Sequence, residues 1–209
     1  MSEKDRQPPF SLIRTFVLAD VITLGNAACG MGAIMACLRY VESRDRGAMW
    51  LAFGLLPLAL ICDVLDGSVA RWRHKQSPLG ADLDSLADVI SFGVAPAVLG
   101  FSLGLRGTWD ALVLIYFVAC GLSRLARYNV TAASMSDETG KVKYYEGTPI
   151  PTSLAIALAL VVAFWQGNVG DQLWLGSIRL LDWELHPLVG LYALSGSAMI
   201  SARLRIPKP

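Results

Sequence analysis

Four aspartates, Asp63, Asp66, Asp84 and Asp88, stand within or beside the most apolar sequence of this chain, in the stretch Cys62–Ala97. Ionisable groups in such surroundings are costly and mark function. A spacing of three residues (Asp63, Asp66) or four (Asp84, Asp88) puts each pair on one face of a helix, so that each pair can converge on a shared ion. Two such helices facing each other make an all-oxygen site, which suits Mg²⁺, Mn²⁺ or Ca²⁺. A cation also answers the charge problem, because four clustered carboxylates in a membrane stay ionised only if something neutralises them. Between the pairs lie Gly67, Ala70 and Gly80, which have almost no side chain and leave room for a ligand. Arg71 adds a fork of donors matched to a phosphate. Acids, small residues and one guanidinium together read as a site for a diphosphate.

The elements that must position these residues are membrane helices. Of 209 residues, 54% are hydrophobic and only 17% charged, and the mean hydropathy is +0.49, too apolar for an ordinary soluble domain. The spans read as Val21–Leu38, Gly47–Ala70, 82–105, Trp109–Asn129, Thr148–Gln166 and 187–203, six crossings near the roughly 20 residues a bilayer requires. The fold class is therefore all-α, a polytopic helical bundle. Before it, residues 1–10 form a polar lead with Pro8 and Pro9, not a cleavable signal, and Ser11–Ala19 suits a helix lying in the interface. This divides the chain into a lead at 1–20 and a membrane domain at 21–209. Pro57 and Pro96 fall inside spans, where kinks are tolerated. Gly167–Glu184, with Trp174 and Trp183 among charges, reads as an aromatic belt or interfacial helix on the far side.

Charge placement orients the bundle. Thirteen of the 18 Lys and Arg fall on the face shared by the termini, Arg71–Lys75, Arg124–Lys143 and Arg203–Lys208, and five (Arg39, Arg44, Arg46, Arg106, Arg179) on the other. This asymmetry predicts cytoplasmic termini, with the aspartates opening toward the cytoplasm. Net charge is +1, which argues neither for nucleic acid nor for an acidic partner. Cys29, Cys37, Cys62 and Cys120 stand singly in apolar runs and read as small core residues, without a disulfide framework or zinc site. His74 and His186 are too few and too far apart for a metal cluster, and His74, among Arg71, Arg73 and Lys75, reads as a solvated interfacial residue.

The set Asp63-x2-Asp66-Gly67-x2-Ala70-Arg71-x8-Gly80-x3-Asp84-x3-Asp88 resembles, at every defined position, the signature of the CDP-alcohol phosphatidyltransferases. Intramembrane prenyltransferases also hold a diphosphate through aspartates and magnesium, but their motifs lack the DGxxAR continuation. An ion-coupled transporter is a further use of intramembrane acids, and it leaves the same continuation unexplained. The resemblance implies a CDP-linked lipid donor, two divalent cations (Mg²⁺ or Mn²⁺), and a homodimer in a bacterial inner membrane or the endoplasmic reticulum. It implies metal binding by Asp63, Asp66, Asp84 and Asp88, with Asp88 also the general base, and contact with the cytidine diphosphate by Gly67, Ala70, Arg71 and Gly80. Asn26 and Ser77 are additional polar contacts on that side, while Asp82 reads equally as a further acid near the site or as an exposed helix-start residue.

The acceptor is left open by the signature, since relatives use inositol, glycerol phosphate, choline or serine. ADVITLGNAACG, the run from Asp84 to Ala97, CGLSRLARYNV and YYEGTPIPTSLA are similar to the branch of the family whose acceptor is L-serine. That likeness runs from about Ala19 to the C-terminal RIPKP, nearest to fungal members and their bacterial relatives. It implies transfer of the phosphatidyl group of CDP-diacylglycerol to the serine hydroxyl. Arg124 or Arg127, with Tyr128, then holds the serine carboxylate, Arg124 being preferred, with Lys143 and Glu146 near the same mouth. Snorkelling of either arginine to headgroups is the competing reading.

Overall fold

The computed structural model describes residues 18–73, 78–135, 144–201 and 205–207. In chain order, α1 (Leu18–Ser43) and α2 (Arg46–Arg73) form a long antiparallel hairpin, followed by α3 (Pro78–Asp88), a π-helical segment (Val89–Val94) and α4 (Ala95–Leu103). Then come α5 (Thr108–Met135), β1 (Tyr144–Glu146), α6 (Leu154–Trp165), β2 (Ile178–Leu180), β3 (Trp183–Leu185), α7 (Gly190–Ile200) and β4 (Arg205–Pro207). Leu18 and Ala19 belong to α1, and the rest of the expected interfacial helix lies outside the described residues.

Among the described residues, four helical stretches are long and apolar enough to cross a membrane: Ala19–Ser43, Arg46–Val69, Gly80–Leu103 and Thr108–Val130. The other two expected spans appear as shorter apolar helices, Ile150–Trp165 and Pro187–Ile200. Each opens with a 3₁₀ turn after a proline-containing start, and the wider 3₁₀ rise lengthens a short segment. α7 packs along α5 and α6 against α4, so the short pair lines the same bundle as the long helices.

The third span departs from a plain helix. Its i→i+5 segment, Val89–Val94, begins directly after Asp88, and Pro96 follows at the start of α4. Proline lacks an N–H and crowds the carbonyl a turn before it, which a π segment relieves by widening the helix. Proline's own carbonyl accepts a hydrogen bond from Tyr192 Oη of α7 at 2.7 Å. Pro57, by contrast, sits within an unbroken α2.

One continuous core runs through the bundle, with aromatic contacts at two levels. At the end away from the aspartates, Tyr40, Trp50, Phe53 and Phe164 meet with ring centroids 5.5 to 5.8 Å apart, and Arg46 caps them, donating from Nη2 to Phe164 O at 3.2 Å with its guanidinium 4.5 Å from that ring's centre. Nearer mid-bundle, Phe92, Leu99, Phe117, Leu160 and Tyr192 are buried, with Phe117 and Tyr192 edge to face at 5.2 Å.

The segment 167–184 corrects the helical alternative. It carries a β-hairpin in which Ile178, Arg179 and Leu180 pair with Leu185, Glu184 and Trp183. The positive φ angles of Leu181 (52°) and Asp182 (64°) build the tight left-handed turn that a two-residue hairpin loop demands. Trp183 still packs against Trp109 in a tilted pair, 5.5 Å between centroids, and Trp109 Nε1 donates to Leu180 O at 3.0 Å. Behind the hairpin, buried Asp110 receives Gly107 N and His186 N, both at 2.8 Å, and faces His186 Nδ1 at 2.6 Å. His186 is thus a structural tie between α5 and the hairpin. At the opposite end β1 pairs with β4, joining the segment before α6 to the C-terminus.

Candidate active site

The cluster forms where α2 and α3 face one another beside the N-terminal half of α1. One carboxylate oxygen each from Asp63, Asp66 and Asp84 lies within 4.8 Å of the others. Two of these come from the last turns of α2 and one from α3, and both helices pack on α1, so the three-residue spacing and the packing on α1 were both needed. Oxygens this close repel unless a proton or cation lies among them. Asp84 Oδ1 is buried without a hydrogen-bond partner among the described residues, the condition of a donor atom waiting for a ligand. The donor set is all oxygen and anionic, and it fits a hard divalent cation.

Asp88 lies one turn beyond Asp84, is 8% exposed, and accepts a hydrogen bond at Oδ1 from Asn26 Nδ2 at 3.2 Å. It is not one of the three residues whose oxygens converge. Gly67 follows Asp66 on an exposed part of α2, and nothing from a neighbouring element lies within 4 Å of where a Cβ would sit. Gly80 sits half-buried in the first turns of α3. Ala70 and Arg71 fall in the last turn of α2 and are described by backbone alone, while His74, Ser77 and Lys143 lie outside the described residues.

Arg124, Arg127 and Tyr128 stand on α5 at spacings of three and four, which places them along one helix face; Arg124 is half-buried and the other two exposed. The next residue, Asn129, fastens this end of α5 to the acid-bearing helix: its Oδ1 lies 3.1 Å from Ser85 Oγ and its Nδ2 donates to Asp82 Oδ1 at 3.4 Å. Asp82 is exposed, as its position near the helix start suggested. The α5 arginines and the aspartates therefore border one another at the same end of the bundle. Glu146 pairs with Arg205 in the β1–β4 register, so its strand is tied to the C-terminal segment.

Three residues that sequence reasoning passed over complete the surroundings. Thr23 Oγ1 lies 2.6 Å from Asp66 Oδ2, Ser91 Oγ donates to Asn26 O at 2.9 Å, and Asn129 bridges α5 to α3. A signal existed for the first: Thr23 and Asn26 are polar, three apart, in an otherwise apolar span.

Fold and site together define a polytopic helical membrane protein centred on buried and half-buried acids contributed by two helices. Residues 16–188 match the family model described as CDP-alcohol phosphatidyltransferase, and the chain belongs to that family. It is similar to the CDP-diacylglycerol–serine O-phosphatidyltransferase of Saccharomyces cerevisiae, 42% identical over 205 residues, which cover 96% of this chain and 74% of that protein. A protein of the same name from Mycobacterium tuberculosis is 33% identical over 72% of this chain and 52% of its own length. The archaetidylserine synthase of Methanothermobacter thermautotrophicus is 37% identical over 68% of this chain and 56% of its own. The chain thus spans about three quarters of the yeast relative and just over half of the other two.

Proposed function

We propose that this chain makes phosphatidylserine, transferring the phosphatidyl group from CDP-diacylglycerol to the hydroxyl of L-serine with release of CMP. The observation that carries the reading is the convergence of Asp63, Asp66 and Asp84 within 4.8 Å inside the family's spaced motif. Serine as the acceptor is supported by the names of relatives from a yeast, a bacterium and an archaeon.

In this reading Asp63, Asp66, Asp84 and Asp88 hold two divalent cations, Mg²⁺ or Mn²⁺. Bound there, such ions would offset the charge of the diphosphate and of the departing phosphate oxygen. The chain's own groups do the remainder. Gly67, Ala70, Arg71 and Gly80 receive the cytidine diphosphate, with Ser77 as a further polar contact. Arg124, aided by Arg127 and Tyr128, holds the serine carboxylate and so aims the hydroxyl at the phosphorus. A bond forms between serine Oγ and the phosphorus bearing diacylglycerol, the bond from that phosphorus to the CMP oxygen breaks, and Asp88 takes the hydroxyl proton. The mouth faces the cytoplasm, from which serine and the nucleotide come, and the working unit is a homodimer.

The test is CMP release by purified protein in mixed micelles with CDP-diacylglycerol, comparing serine with inositol, glycerol 3-phosphate and choline, with Mg²⁺, with Mn²⁺ and with chelator. Release that needs serine and stops with chelator is the expected result. Release with another alcohol alone would keep the reaction class and overturn the acceptor, and metal flux into liposomes without CMP release would turn the reading toward transport.

A further inference from the structure

One turn of α1 touches one acid from each acid-bearing helix. Thr23 and Asn26 are three residues apart and buried, Asn26 completely. Thr23 meets Asp66 of α2 at 2.6 Å, and Asn26 meets Asp88 of α3 at 3.2 Å. The chemistry fixes the direction of both bonds, because an ionised carboxylate only accepts. Thr23 has a single hydroxyl proton and two acceptors in reach, Asp66 Oδ2 at 2.6 Å and Ala19 O at 3.1 Å, and the shorter, charge-assisted contact takes it.

Asn26 is itself held. Its backbone carbonyl accepts from Ser91 Oγ at 2.9 Å, and Ser91 belongs to the π-helical segment that follows Asp88. One turn along α1, a Cβ on Gly30 would overlap both the side chain and the backbone of Ser91, so the two helices approach as closely as glycine allows. The widened π turn sets Ser91 against α1 and Asp88 against Asn26 together. Both contacts therefore sit on rigid elements, where orientation is preserved.

We propose that Thr23 and Asn26 are positioning residues: Thr23 orients Asp66 for cation binding, and Asn26 occupies Asp88 Oδ1 so that Oδ2 is presented to the serine hydroxyl. The assignment rests on the reading of Asp66 as a metal ligand and Asp88 as the base. It replaces the idea of Asn26 as a contact for the nucleotide lipid with a role directed at a carboxylate.

The experiment uses the purified full chain and variants Thr23→Val, Thr23→Ser, Thr23→Ala and Asn26→Ala, with thermal melting to confirm folding. Mn²⁺ binding is read from the spectroscopic signal of the free ion, and kinetics from CMP release. Loss of the hydroxyl in Thr23→Val should weaken Mn²⁺ binding about 10- to 100-fold, whereas Thr23→Ser, which keeps it, should stay within about threefold of the parent. Asn26→Ala should lower kcat on the order of 10- to 100-fold with both KM values nearly unchanged. Wild-type Mn²⁺ affinity in Thr23→Val, or equal loss in Thr23→Ser, overturns the role of Thr23; Thr23→Ala replaces Thr23→Val if the latter does not fold. A raised KM for CDP-diacylglycerol at unchanged kcat in Asn26→Ala overturns the role of Asn26. Failure of the serine reaction in the unsubstituted protein would instead strike the proposed function, and the Mn²⁺ arm would still decide on Thr23.

Discussion

At Asp88 binding and turnover can be separated. Its neighbours Asp63, Asp66 and Asp84 hold the convergent oxygens, while Asp88 is committed on one oxygen to Asn26. Asp88→Asn should therefore retain the nucleotide lipid in the presence of metal, measured by titration with a CDP-lipid analogue, yet lose about 10²-fold or more in kcat, the scale of a general base. Binding lost in step with turnover would reduce Asp88 to a ligand. Arg124 makes the matching test on the acceptor side. If it grips serine, Arg124→Ala should raise the KM for serine by at least about tenfold, a charge-assisted contact being worth about 1.5–3 kcal/mol, and leave the KM for CDP-diacylglycerol within a factor of about two. Equal effects on both substrates would point to a headgroup contact.

Helices bring these residues together only as closely as their surfaces permit, and glycine marks the tightest place. A methyl group at Gly30 would run into Ser91, whereas one at Gly54, on the exposed side of α2, would meet nothing within 4 Å. Gly30→Ala should cost about 1–3 kcal/mol through overpacking and lower activity by moving α1 away from the π segment. Gly54→Ala should be neutral or stabilising by up to about 1 kcal/mol, the difference in helix propensity. Thermal melting of the two variants, read beside CMP release, checks the contrast; a stable, fully active Gly30→Ala would show that the α1 contact does not hold the site. The hairpin at Ile178–Leu185 and the buried Asp110–His186 tie secure the opposite end of α5, far along the helix from Arg124.

Across the whole molecule, the prediction concerns which way the bundle stands. With 13 Lys and Arg on the face of the termini and five on the other, Ser177, just before the first strand of the hairpin, should lie outside and Ala81, at the start of α3, on the cytoplasmic side. In a background with the four native cysteines replaced, Ser177→Cys should react with an impermeant maleimide in intact cells, and Ala81→Cys only after permeabilisation. The reverse pattern would turn the aspartates away from the cytoplasm and from their expected supply of serine.

Much of the site was legible in the linear chain because it depends on short spacings. Residues three or four apart share a helix face whatever the tertiary fold, so Asp63 with Asp66, and Asp84 with Asp88, could be paired from sequence. Apolar length marked the helices for the same local reason, and the motif carried the family. Tertiary structure decided what local rules do not reach. It brought Asp84 to the α2 pair and set Thr23 against Asp66, 43 residues away, and Asn26 against Asp88, 62 away. It turned 178–185 into a hairpin and opened the third span into a π segment beside Pro96. A contact between distant residues depends on how whole helix surfaces fit, and that fit is a property of the packed bundle that no short spacing encodes.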